Sequence, residues 1–422
     1  MTEMDESRVS SWGAVISLQN ELLAWILDCA LPVWDQYGVD RRSGGYFENI
    51  SRLGSEGAFD ASGELRRGRV VARQIYVFDM GRRLGWASAL SSPVEHGCDY
   101  LFSRLHAGDG VFHTALDAAT HRPCASFNLY EQAFYLFALA RLNATFADRY
   151  PIAETAERCL QRLRGDCGKS IGGFEESTPP SLPLRSNPHM HLLEAALEWI
   201  DAASGDMQRC WIELARELVG LFLTRFRDPR TGATREYFDF QWRPMPGDDG
   251  RILEPGHQFE WAWLLLLWSD SPHSSAAERT ACTVAAHRLI DIGERWGVDP
   301  ARGVAINEIW DDMTTKDAGA KLWPQTERVK AWCAMLDRAT TEAEANRARH
   351  KIVMAARGLS KYLRTDVPGL WHESYSADGT FPLGPSKASS FYHVACAIDV
   401  LRKTSSRRHT SVMYSPHVSV SD

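Results

Sequence analysis

The chain lacks most of the patterns that announce a common function. Its nine cysteines are scattered, with no CxxC pair, which fits reduced core thiols in a cytoplasmic protein better than a disulfide framework. It has no surplus of positive charge: 47 Lys and Arg stand against 54 Asp and Glu, for a net charge of -7. Nucleic acid is therefore not the expected partner. The start, MTEMDESRVSSW, has neither the basic residues nor the apolar run of a secretory signal. The most apolar run, Phe259–Trp268, is too short to span a bilayer, so no membrane association is expected. There is no GxxxxGK[ST] phosphate loop, no GxSxG nucleophile turn and no HExxH zinc motif.

What is present is the material of a large folded core. Hydrophobic residues make up 44% and charged residues 24% of 422, which excludes global disorder. Fifteen tryptophans are available for packing, or for stacking against the C–H faces of sugars.

Helical spacing dominates the chain. Leu18, Leu22, Trp25, Ile26, Cys29 and Val33 fall on one stripe. Similar stripes predict helices over Val70–Leu84, Val94–Leu105, Leu129–Leu142, Ile152–Leu163, His189–Ile200, Trp211–Phe226, Phe259–Trp268, Ala281–Trp296, Val329–Leu336, Ile352–Leu363 and Phe391–Leu401. Between alternate helices a glycine leads a short apolar stretch that often ends in an acid: GGYFEN at Gly44, GVFHTA at Gly110, GGFEES at Gly172, GATREYFD at Gly232, GVAINEI at Gly303 and GLWHES at Gly369. The recurrence predicts six helical hairpins. Prolines mark second-helix starts at Asn187-Pro188, Glu254-Pro255, Trp323-Pro324 and Gly384-Pro385. The expected architecture is all-α, an (α/α)6 barrel with short strands in its connecting loops, rather than an open solenoid. Residues 1–402 form its one catalytic domain, and 403–422 are expected to be a disordered tail.

Aligning the second helices brings Arg73, Glu131, His191, His257, Trp323 and His393 into register, near ends that a closed ring points at a shared cavity. The pattern His-x-x-Glu occurs at His191–Glu194 and at His257–Glu260. Residues three apart share a helix face, so each glutamate is expected to fix its imidazole. Zinc on His189, His191, His257 and His393 is the competing reading, but residues two apart on a helix do not face one way. Loop acids, Glu175–Glu176 and Glu308 with Asp311 and Asp312, offer a glycosidase pair instead. A carbohydrate-binding toroid without chemistry would use the aromatics alone. The basic cluster RRGR, Arg66–Arg69, could hold a phosphate or sulfonate, although such clusters are usually solvated.

The runs ARQIYVF, RSNPHMHLLEA, EPGHQFEWAW, KLWPQTERVKAW and SSFYHVACAI, in that order, resemble the N-acylglucosamine 2-epimerase superfamily, and within it the D-mannose isomerase branch. The resemblance runs from about Trp12 to Leu401. It implies an (α/α)6 barrel acting on the reducing end of a monosaccharide, as a monomer or homodimer, with no metal or redox cofactor. It further implies that His257 and His393 are the acid/base pair, Glu260 the support of His257, and Arg73 the holder of the oxygens near C1 and C2. His191, Trp323, Glu131, Glu194 and Glu327 make up the expected substrate-binding set. The implied reaction is D-mannose to D-fructose isomerisation through a cis-enediol, with sugar 2-epimerisation as the alternative outcome.

Overall fold

The computed structural model describes residues 12–53, 58–62 and 64–413. Among them, twelve long helical stretches form six hairpins. Helix α1 covers Trp12–Gly38. It is followed by α2 (Gly68–Arg83), α3 (Pro93–Tyr100), α4 (Leu129–Phe146), α5 (Ile152–Arg162), α6 (Ser186–Ala202) and α7 (Gly205–Leu221). The remainder are α8 (Pro255–Asp270), α9 (Ala276–Trp296), α10 (Trp323–Arg338), α11 (Glu342–Leu363) and α12 (Ala388–Met413). The even-numbered helices form an inner ring. Each packs on the next, and α12 packs back on α2, closing the toroid.

Burial separates the two rings as the sequence does. Helix α8 is buried on nearly every face, from Pro255 through Ser269, as expected of a helix apolar all round. Helix α5 instead buries one stripe, Ile152, Thr155, Ala156, Cys159 and Leu160, and leaves its charges outside. Helix α1 is long and apolar enough by composition to cross a membrane. In the structure it is the outer helix of the first hairpin, lying on α11 and α12 with Val15, Leu22, Ile26 and Trp34 buried. Its apolar residues are spread along a helical face, so a search for one unbroken run does not find it.

The glycine-led loops share one construction. The six leading glycines, at 44, 110, 172, 232, 303 and 369, have φ between 70° and 96°, a region that favours residues without a Cβ. In five units the residue four after the glycine accepts the backbone N–H just before the following inner helix. Glu48 takes that of Arg67 (3.0 Å), Glu236 that of Glu254 (3.2 Å), Asn307 that of Lys321 (2.8 Å) and Glu373 that of Lys387 (2.8 Å). Glu176 takes that of Arg185. Two residues after the glycine, the backbone is held by a buried polar side chain: Phe112 by Gln132, Phe174 by His189, Thr234 by Gln258, Ala305 by Gln325 and Trp371 by Ser386. These clamps satisfy backbone groups that burial would otherwise leave costly, and they fix each loop over the mouth of the ring.

Three of the four proline-marked starts fall within the first turn of a helix. Pro385 does not: it precedes a two-residue strand, Ser386–Lys387, and the helix begins at Ala388. That strand extends the Asn49–Leu53 ladder, so chain pairing overrides the proline signal. The last helix also continues past 402, to Met413. Where its apolar period ends, polar contacts take over: Thr404 and Ser405 are buried, and Thr404 and Arg407 both bond Asp337. The rest of the expected tail, 414–422, lies outside the described residues.

Candidate active site

The N-terminal turns of the inner helices surround a cavity of about 380 Å³, within the range of small-molecule sites. Arg73, His191, His257, Glu260, Trp323 and His393 line it, together with Tyr130, Asn187, Glu254 and Glu373. Five of the six positions aligned from sequence therefore meet. Their rings form an arc: His257 to Trp323, 4.9 Å between centroids; Trp323 to His393, 6.0 Å; His393 to His191, 6.5 Å. Gly256 makes this packing possible, since a Cβ there would lie 2.4 Å from the Trp323 ring.

Each imidazole donates Nδ1–H to a different carboxylate. His191 donates to Glu194 (3.1 Å), the local pair expected from His-x-x-Glu. His393 donates to Glu327 (3.0 Å) on α10. His257 does not use Glu260. It donates to Glu236 (2.7 Å), with Glu254 next at 3.9 Å. The second His-x-x-Glu pair is thus not formed. Glu260 instead approaches His191 (3.9 Å) and Lys330 (4.0 Å). Glu236, the partner of His257, and Lys330, the partner of Glu327, are not among the residues expected from sequence. A signal for Glu236 was present, as the acid four after Gly232.

Three further expectations are corrected. Glu131 accepts the backbone and guanidinium N–H groups of Arg69 and does not line the cavity. Glu194 and Glu327 sit behind the histidines as hydrogen-bond acceptors and do not reach the cavity surface. Glu194 lines a second, larger cavity of about 920 Å³ at the opposite end of the ring, near the C-terminal ends of the inner helices. The converging histidines are in the smaller cavity. His189 is a loop clamp: its Nε2 accepts from Phe174 N (3.0 Å) and its Nδ1 donates to Arg185 O (3.1 Å), which removes it from any ligand set with His191. The loop acids are also engaged elsewhere: Glu175 by Lys169, Glu308 by Lys316, Asp311 by Arg235 and Arg251.

Electrostatics give the two central histidines opposite characters. Burial alone would lower the pKa of His257, but Glu236 and Glu254 outweigh it and push it up to about 10. His257 is an imidazolium at neutral pH. His393 is driven well below its ordinary value by burial, then by the charges of Arg73 and Lys330. His191 is lowered by burial to about 4. Both are neutral, with Nε2 left as an acceptor. Beneath them the Lys330 ammonium lies 2.5 Å from Glu327 and 4.0 Å from the Trp263 ring. It supplies positive charge between two fully buried carboxylates. Burial, then repulsion from Glu327, holds the carboxyl of Glu260 well above the usual range.

Among the described residues Arg73 donates only to neutral oxygens, Ser389 O (3.0 Å) and Tyr130 Oη (2.8 Å), and its buried Nε has no partner. Its charge is free for a substrate oxygen. Three His/carboxylate groups have donor atoms within 4.8 Å of one another and could hold an ion: His191, Glu194 and Glu260; Glu236, Glu254 and His257; Glu260, Glu327 and His393. Lys330 already balances the carboxylates of the third group, and an ion in the second would have to displace the proton of His257.

Fold and cavity together define an (α/α)6 toroid whose inner-helix ends gather three imidazoles around one cavity. The chain belongs to the N-acylglucosamine 2-epimerase (GlcNAc 2-epimerase) family, which it matches over residues 45–397, and it is a sugar isomerase or epimerase. It is 42% identical over 390 residues to a mannose-6-phosphate isomerase of Rhizobium meliloti (strain 1021), spanning 92% of this chain and 97% of that protein. It is 26% identical over 313 residues to a D-mannose isomerase of Pseudomonas cannabina pv. alisalensis, spanning 67% and 72%. Its fold is that of a cellobiose 2-epimerase from Spirochaeta thermophila DSM 6192, with TM-score 0.78, 20% identity, and 94% and 98% of the two chains covered.

Proposed function

We propose that this enzyme takes the C2 proton from an open-chain aldose and returns a proton to the opposite face of the same carbon, as a sugar 2-epimerase. The observation that carries this reading is that His257 and His393 line one cavity with Trp323 packed against both, and the opposite directions in which their surroundings push the two imidazoles support it. Environments that push two titratable groups apart assign the base and the acid. The ring opens first. Neutral His393, its Nδ1–H held by Glu327, accepts the C2 proton at Nε2. Negative charge gathers on O1, where the unpaired Arg73 guanidinium stabilises the enediolate. His257, an imidazolium on the other side of Trp323, delivers the proton that completes the epimer. Trp323 serves as the aromatic wall for the sugar's C–H face. The chemistry asks for no metal or redox cofactor.

A second reading, aldose–ketose isomerisation of D-mannose to D-fructose, differs only in returning the proton to C1. The names of the two sequence relatives support it. Incubating the enzyme with D-mannose in deuterated water and following products by NMR separates the two. Glucose deuterated at C2 as the first product is the expected result. Fructose as the first product refutes epimerisation in favour of isomerisation, and the absence of any exchange with free or phosphorylated aldoses refutes both. All nine cysteines are free thiols, which supports work in the cytoplasm.

A further inference from the structure

We propose that the rim of this cavity is a subsite for an anionic group of the phosphate-ester class, carried at the end of the sugar away from the reacting carbons and held by Lys321 and Lys387. The inference rests on the reading of the cavity as the sugar site.

The chain has only eight lysines. Five pair with carboxylates: Lys169 with Glu175, Lys316 with Glu308, Lys330 with Glu327, Lys351 with Glu294 and Lys403 with Asp399. Lys361 donates to the Arg302 carbonyl. Lys321 and Lys387 are the two whose ammonium groups have no such partner among the described residues, and both line the catalytic cavity. Chance does not favour that coincidence on a net-acidic chain.

The fold places the two side by side. Lys321 pairs with Ser374 across a two-residue ladder, and the preceding residue, Glu373, accepts the backbone N–H of Lys387 at 2.8 Å. Each lysine lies just before an inner helix, α10 or α12, where the helix dipole already favours an anion. Glu254, Asp317 and Glu373 lie near enough to feel these charges, but none is in ion-pair contact with either ammonium group among the described residues. Glu373 is occupied by Lys387 N, Ser390 Oγ and Trp371 Nε1. Burial raises the pKa of Glu254, whose carboxylate stands beside charged His257. The other basic candidate in the sequence, RRGR, is spent within the fold: Arg66 on Asp40, Arg67 on Glu48 and Arg69 on Glu131.

Depth then sets the direction of the substrate. His191, His257, Glu260 and His393 are buried, whereas Lys321, Lys387 and Ser374 are exposed. A hexose with C1 and C2 at the imidazoles points its C6 end at the lysines. Two ammonium groups and the Ser374 and Ser389 hydroxyls suit a dianionic phosphate better than a bare hydroxymethyl.

The test uses D-glucitol 6-phosphate and D-glucitol, which have no carbonyl and cannot react. By titration calorimetry at low salt, the phosphorylated ligand is expected to bind at least about tenfold more tightly, since unscreened charge pairs supply the difference. That advantage is expected to fall at least about tenfold in the Lys321→Gln, Lys387→Gln double variant, which keeps most of both side-chain stems and is checked for an unchanged melting temperature. Equal affinity of the two ligands for the unaltered enzyme, or an advantage that survives the double substitution, overturns the subsite. C2-proton exchange on D-mannose and D-mannose 6-phosphate is measured in parallel. Preferential phosphate binding without any exchange would retain the subsite and remove the proton-transfer reading.

Discussion

His257 donates its Nδ1–H to Glu236, 2.7 Å away, although Glu260 stands three residues along the same helix. The acid that sets the charge of this histidine therefore comes from the loop of its hairpin. Glu236→Gln keeps the hydrogen-bonding shape and removes the charge. Turnover is expected to fall by roughly 10²-fold, the scale of a positioned acid, and the His257 titration should move down from about 10. A variant with unchanged rate and unchanged titration would show that Glu254 alone suffices.

Stability should fall on both sides of neutrality. The folded-state value of His257, about 10, lies above its ordinary 6.5, so its contribution is complete below about pH 6.5 and is lost as pH rises through 10. His191, at about 4, has the opposite sign: its contribution is complete above about pH 6.5 and is lost as pH falls through 4. Thermal melts across this range should therefore peak between the two limbs, and His257→Gln should flatten the alkaline limb. Imidazole NMR resonances of His257 titrating near 6.5 would contradict the assignment.

Lys330 is buried with Glu327 and Glu260 and has no contact with solvent. Lys330→Met leaves Glu327 without its cation. The expected loss is about 3–5 kcal/mol, the usual result of removing one partner of a buried pair. Chemical denaturation measures it. A variant as stable as the parent would contradict a stabilising role for this buried pair.

Gly256 admits the Trp323 ring against α8. Gly256→Ala should push the ring into the cavity, raising KM for the sugar, at a cost in stability of about 1–3 kcal/mol from overpacking. Steady-state kinetics and a melting curve check both. Unchanged KM would mean that Trp323 is not a wall of the occupied site.

The helices were legible because inner and outer rings impose an apolar period on nearly every segment. Arg73, His191, His257, Trp323 and His393 were legible because equivalent positions of a closed repeat must converge. The carboxylates were harder. Helical spacing correctly pairs His191 with Glu194, but the same spacing misassigns Glu260, because Glu236 reaches His257 first from a loop whose path depends on the whole toroid. Glu131 sits in register with the site residues yet is claimed by Arg69. Register places a residue at the ring's mouth; the partners nearest it decide whether it reaches the cavity. Lys330 carries no pattern at all, and its role follows from burial among acids.

The central claim is that His393 is the neutral base and His257 the charged acid of one cavity. Its most direct test is the rate at which the C2 proton of the sugar exchanges with deuterated water, followed by NMR for the parent enzyme and for His393→Asn. Exchange is expected to slow by about 10²–10⁴-fold in the variant, with its melting temperature preserved. Exchange at the parental rate would contradict the account.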